Sequence, residues 1–149
     1  MRYSAGLFLT AAFWGLLSSA HAADDSAFRY AVSICAAISN PQAFDGKYLL
    51  FKAEYRQEPH GAVLTGHGCP KTTVMLTRAD DYSESPAMRT VVDSSINKAS
   101  WLNVVSFDVV YGATFRTIRG IRCSEVHCFR YELDASKLIA VRPLSRASE

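Results

Sequence analysis

Apolar and polar residues alternate along two long stretches of the chain. From Lys47 to Glu58, Leu49, Phe51, Ala53 and Tyr55 share one parity. Tyr48, Leu50, Lys52 and Glu54 share the other, which grows polar along its length. A repeat of two is that of a strand with one buried face. From Trp101 to Arg119 the same repeat places Trp101, Val105, Phe107, Val109, Tyr111, Ala113 and Phe115 together. Ser106, Asp108, Gly112, Thr114 and Arg116 fall opposite them. Gly112 marks a bend or bulge in this long strand.

Shorter elements fill the intervals. Pro59-His60-Gly61 predicts a turn, Ala62–Gly68 a second strand and Lys71–Thr77 a third. Arg78–Ser85 is polar and reads as a loop. Phe129–Leu133 and Leu138–Val141 supply a last strand or pair of strands. Ala23–Ser26 reads as a loose leader. Ser33 caps a short helix through Ile34, Cys35, Ala37 and Ile38, which Asn40-Pro41 stops, and Asp45-Gly46 then turns the chain. Ser85-Pro86 opens a second helix carrying Met88, Val91, Val92, Ser95 and Ile96 at helical spacing, ending near residues 97–100. This order predicts a mainly β fold: a small OB-like Greek-key barrel with one or two short helices. A two-layer α+β sheet is the alternative.

The N-terminus has a different character. Arg2 precedes an apolar run, Leu7 to Leu17, and then Ser18, Ser19 and the small-x-small triplet Ala20-His21-Ala22. This is the layout of a cleavable secretory signal at residues 1–22. The run is too short for a bilayer core, which takes about 20 apolar residues. The expected product is a single domain over residues 23–149, periplasmic or secreted, with no transmembrane segment. The formal net charge of the whole chain is only +2, which points to neither nucleic acid nor a membrane.

Export changes how the cysteines are read. Cys35, Cys69, Cys123 and Cys128 all follow the signal, and an even count in an exported domain favours disulfides. Four cysteines allow three pairings, and the sequence alone does not choose among them; because Cys123 and Cys128 flank only Ser124-Glu125-Val126-His127, two facing strands joined by that short turn would favour pairing them. That pairing leaves Cys35 with Cys69.

Val32-Ser33-Ile34-Cys35, Asn40-Pro41, Phe44-Asp45-Gly46-Lys47, His60-Gly61 and Gly68-Cys69 follow one another in order. This series resembles a group of exported bacterial proteins with an OB-like barrel, many with a Cys…Asn-Pro…aromatic-x-Gly-Lys pattern and most without a known biochemical role. The likeness covers Val32 to Leu76. Where the group pattern has a glycine late in the first strand, this chain has Ala53 and Tyr55. The resemblance implies a fold and no activity.

Candidate chemistry is sparse. His60, His67 and Cys69 form one group of metal-type ligands, and Cys123, His127 and Cys128 a second. Their spacing is not that of the common zinc ribbons, so no metal and no cofactor is expected. No Gly-x-Ser-x-Gly elbow, Cys-x-x-Cys pair or glycine-rich phosphate loop is present. Asp80, Asp81 and Glu84 read as loop carboxylates, and no catalytic residue is assigned. The remaining feature is a basic stripe: Arg116, Arg119, Arg122 and Arg130, interleaved with Phe115, Phe129 and Tyr131. Arginine and aromatic side chains grip anionic or sugar ligands by charge and stacking, so Arg116, Arg119, Arg122, Arg130 and Tyr131 are the candidate ligand contacts.

The functional expectation is an exported, non-enzymatic binding or envelope-associated protein. Its partner would be a protein or an envelope glycan, and export disfavours nucleic acid. The alternatives are a small secreted hydrolase and an inhibitor or immunity protein acting on a cell-wall enzyme.

Overall fold

A computed structural model describes residues 25–58, 61–86, 88–89, 93 and 105–143. The predicted signal lies outside these residues, as do His60, Trp101 and most of the predicted second helix. The elements are α1 (residues 25–30), β1 (Val32–Ser33), α2 (Ile34–Ser39), α3 (Pro41–Phe44), β2 (Tyr48–Glu58), β3 (Gly61–Thr65), β4 (Met75–Ser83), β5 (Val105–Cys123) and β6 (Cys128–Pro143). The fold is mainly β, as the alternation predicts.

The sheet is mixed. Its ladder order is β1-β2-β5-β6-β4, with β3 paired to β2. The β2–β5 and β5–β6 pairs are antiparallel, whereas β4 runs parallel to β6. One isolated bridge joins Leu64 of β3 to Val74, the residue before β4. Both of its backbone hydrogen bonds are made, at 3.0 and 2.8 Å.

The inward parity of the two long strands forms the core. Phe51, Ala53 and Tyr55 of β2 pack with Phe107, Val109, Tyr111, Ala113 and Phe115 of β5. Ile34 and Ala37 of α2 enter the same core, and both are fully buried. Ser33 caps α2, its hydroxyl accepting from the Cys35 N–H at 3.3 Å.

Three expectations are corrected. The loose leader at Ala23–Ser26 is helical from residue 25, because α1 has a surface to cover. Phe28 and Ala31 pack on Val110 and Ala140 from the opposite side of the sheet. That contact explains why Val110, on the polar parity of β5, is fully buried. Arg78–Ser83 is strand, not loop: it continues β4 along β6, with a register shift between Arg78 and Ser83. Polar side chains suit an outer strand whose backbone still needs hydrogen-bond partners. The irregularity expected at Gly112 is present, but the extra residue sits on the partner strand. Ser136 is bulged out opposite the Gly112–Ala113 step, and its hydroxyl lies 3.3 Å from the Gly112 carbonyl and 3.2 Å from the Tyr48 hydroxyl.

Both disulfides follow the predicted pairing. Cys35–Cys69 ties α2 to the loop after β3. Cys123–Cys128 closes the β5–β6 hairpin, where the two residues are direct ladder partners. Among the described residues, no helix is long and apolar enough to cross a membrane.

Candidate functional site

One row of side chains runs across four strands on the face of the sheet turned away from the main core. Thr65 of β3 stands opposite Glu54 of β2, Glu54 opposite Asp108 of β5, and Asp108 opposite Arg142 of β6. Alternation keeps directly opposed residues on one face. The strand register therefore brings together residues that lie up to 88 positions apart in sequence, from Glu54 to Arg142.

The loop after β3 adds an imidazole to this row. The Cys69 N–H donates to the Gly66 carbonyl at 2.9 Å, closing a tight turn with His67 and Gly68 at its centre. The Cys35–Cys69 bridge fixes that turn against α2. Gly66 is required there, since a Cβ would lie 2.9 Å from Ile34 Cγ2 and 3.1 Å from Cys69 Sγ. His67 Nε2 lies 2.8 Å from Asp108 Oδ1, and Nδ1 lies 3.9 Å from Glu54 Oε2.

Basic groups complete the constellation. An Arg142 guanidinium nitrogen sits 3.3 Å from Asp108 Oδ2, and a second is 3.7 Å from Asp25 of α1. The guanidinium also lies over the Phe28 ring, 4.4 Å from its centroid, in cation–π range. Lys52 donates to the Phe28 carbonyl at 3.1 Å. These groups line a cavity of about 290 Å³ between α1, the sheet and the Gly66–Gly68 turn. Its floor is acidic and its rim basic: the Glu54 and Asp108 side chains are 18% and 14% exposed, against 65% for His67 and 52% for Arg142.

A second, smaller recess of about 210 Å³ lies under the β5–β6 hairpin. Glu58, Val63, Met75, His127 and Phe129 contribute to it. Its one ion pair is His127 Nε2 to Glu58 Oε2, at 2.7 Å.

The arginines of the basic stripe and Tyr131 line neither of these two recesses. Arg116 is paired with Asp134 at 3.4 Å, and Arg122 reaches Met75 Sδ at 3.9 Å. Tyr131 turns inward and stacks on Phe115, with ring centroids 5.6 Å apart. Arg119 and Arg130 are exposed. Of the two groups of metal-type ligands, Cys69, Cys123 and Cys128 are consumed by disulfides, and His67 and His127 turn to carboxylates. Among the described residues, no group of three or more His, Cys, Asp or Glu side chains is arranged for a metal ion.

Sequence reasoning missed Lys52, Glu54, Asp108 and Arg142. The signal was faint: each is a charged residue on the polar parity of a long strand. Only the register tells that they share a row. Comparison with protein-family models, curated proteins and solved structures finds no match to this chain.

Proposed function

We propose that this is an exported, non-enzymatic binding module that holds a neutral saccharide unit of an envelope glycan in the cavity beside α1. The observation that carries this reading is the ordered row Thr65–Glu54–Asp108–Arg142 with His67 above it. Two carboxylates supply acceptors, while Lys52, Arg142 and His67 supply donors. Neighbouring hydroxyls both donate and accept, so a polyol fits such a set. The formal charges of Lys52 and Arg142 offset those of Glu54 and Asp108, which favours an uncharged ligand. At about 290 Å³ the cavity is at the small end for ligand sites, the scale of a single saccharide unit rather than a chain.

The strand connections support an OB-type barrel as the scaffold. β2–β3, β4–β6 and β6–β5–β2 are ladders, and the Leu64–Val74 bridge spans the interval between β3 and β4. A parallel pair between the third and fifth of five barrel strands fits that reading, as does the resemblance of Val32–Leu76 to exported OB-like proteins. Two disulfides are compatible with a periplasmic or extracellular site.

Isothermal calorimetry against neutral envelope saccharides tests the proposal. Saturable binding weakened at least tenfold by Asp108→Asn supports it. A panel of neutral saccharides that gives no heat, or binding indifferent to Asp108→Asn, overturns it. A small hydrolase is the second reading, favoured by the directly opposed Glu54 and Asp108, since glycoside hydrolysis uses two carboxylates. New reducing ends released from the same saccharides would move the assignment to that reading.

A further inference from the structure

The recess under the β5–β6 hairpin runs along an unpaired strand edge. β3 pairs with β2 without a register shift from Gly61 to Thr65. Leu64 turns its N–H and carbonyl away from β2, since both are bonded to Val74. Antiparallel pairing repeats these directions every second residue, so Ala62 turns its N–H and carbonyl outward as well. Among the described residues, no strand pairs with that edge beyond the Leu64–Val74 bridge. Ala62 is half-buried and lines the recess. Its outward donor and acceptor have no ladder partner and are left for water or a ligand.

The other walls are apolar or already satisfied. Val63 and Phe129 are buried, and Met75 and Val126 line the recess with them. His127 holds Glu58 at 2.7 Å. The Ser124 hydroxyl donates to the His127 carbonyl and accepts from the Val126 and His127 N–H groups. Both ends of the edge are closed. The Leu64–Val74 bridge bounds one, and the His127–Glu58 contact bounds the other, because Glu58 is the ladder partner of Gly61. A volume of about 210 Å³ is below the range of whole-ligand sites. It has room for one functional group.

We propose that this recess receives the acetamido group of an N-acetylated saccharide. A secondary amide carries one N–H and one carbonyl, the complement of the Ala62 pair. A carboxylate would leave the Ala62 carbonyl without a donor, and an ammonium would leave the N–H without an acceptor. The acetyl methyl gains by leaving water among Val63, Met75 and Phe129. An extended peptide would have to continue along the edge in both directions, and both are closed. On a sugar the acetamido group is a side branch, so the ring stays outside. There the exposed Arg122, 3.9 Å from Met75 Sδ, offers donors to its hydroxyls. The inference stands apart from the cavity beside α1, since no residue lines both.

Titration of the isotope-labelled chain with N-acetylglucosamine, followed by NMR, tests this. The Ala62 amide and the Met75 methyl signals should shift saturably, and glucose, which lacks the amide, should leave both in place. Asp108→Asn, which disables the cavity beside α1, should not alter these shifts. Ala62→Pro removes the outward N–H but no ladder bond to β2, and should weaken binding at least tenfold. No shift at either position, the same shifts with glucose, or undiminished binding to Ala62→Pro overturns the proposal. Signals that move only beside α1 also overturn it, while sparing the cavity reading. N-acetylalanine methylamide binding as tightly as the saccharide would make the partner a peptide and overturn it too. Should Ala62→Pro fail to fold, the comparison of the two sugars on the wild-type chain decides alone.

Discussion

Glu54 and Asp108 stand directly opposite each other on neighbouring strands, two half-buried carboxylates on one face of the sheet. Like charges in that position repel. The neighbours offset this: His67 approaches both, Arg142 approaches Asp108, and the Thr65 hydroxyl lies 3.5 Å from Glu54.

The two acids should not be equivalent. Asp108 holds both the imidazole and the guanidinium at short range, while Glu54 makes only contacts of 3.5 Å or more. Asp108→Ala is expected to cost about 1–3 kcal/mol, the range for losing hydrogen bonds to charged groups. Glu54→Gln should cost under about 1 kcal/mol, because it also relieves the repulsion. Urea unfolding of both variants checks the order. Equal losses would contradict the asymmetry.

The two disulfides close loops of very different length, with sequence separations of 34 and 5. On chain-entropy grounds C35S/C69S should lose about 4 kcal/mol and C123S/C128S about 2 kcal/mol. Unfolding free energies from denaturant titration, each extrapolated with the variant's own slope, would report this. The longer bridge also positions the His67 turn, so C35S/C69S should weaken saccharide binding as well, and C123S/C128S should not.

Two glycines invite opposite outcomes. A Cβ at Gly66 would meet Cys35 Sγ, Ile34 and Cys69, all part of a bridge locked against a fully buried side chain. Gly66→Ala should therefore destabilise by about 1–3 kcal/mol. A Cβ at Gly112 would meet the hydroxyl of Tyr48, the far end of a side chain that is 57% exposed and free to swing outward. Gly112→Ala should lose little beyond the Ser136 contact to that hydroxyl. Thermal melts of the two variants give the comparison directly.

Alkaline pH should weaken the fold. Burial, and then the hydrogen bond to Glu84 and its charge, push the Tyr82 phenol from 10.0 up to about 12, against the opposing charges of Arg78 and Arg89. Burial raises Tyr55 and, more strongly, Tyr111. In the unfolded chain these phenols ionise first, so ionisation favours unfolding. Stability is therefore intact below pH 10 and falls as pH rises from 10 toward about 12 for Tyr82. Melting temperature measured across this range should decline, and Tyr82→Phe should reduce the decline. Phenolate absorbance should show a group of tyrosines ionising only as the fold opens.

Much of the architecture was legible because it rests on local pattern. The period of two from Leu49 to Tyr55 and from Phe107 to Phe115 names the core faces of β2 and β5. Ser33 and Asn40-Pro41 bound α2 by capping and by proline sterics, and the short interval between Cys123 and Cys128 favours their pairing. These features need only near neighbours and the chain's own geometry.

The site was not legible in the same way. Nothing local to Glu54, Asp108 or Arg142 distinguishes them from other charged residues facing solvent on a strand. Their meeting depends on which residue of one strand stands beside which of the next, and a slip of one position would send them to opposite faces. Helix α1 is the second case: its shelter over Val110 and Ala140 exists only once β5 and β6 are paired. Local pattern named the core-facing parity of β2 and β5, the turn at Asp45-Gly46 and the favoured sulfur pairing. Tertiary structure alone decided the register, and with it the cavity, because register is a long-range property of paired strands.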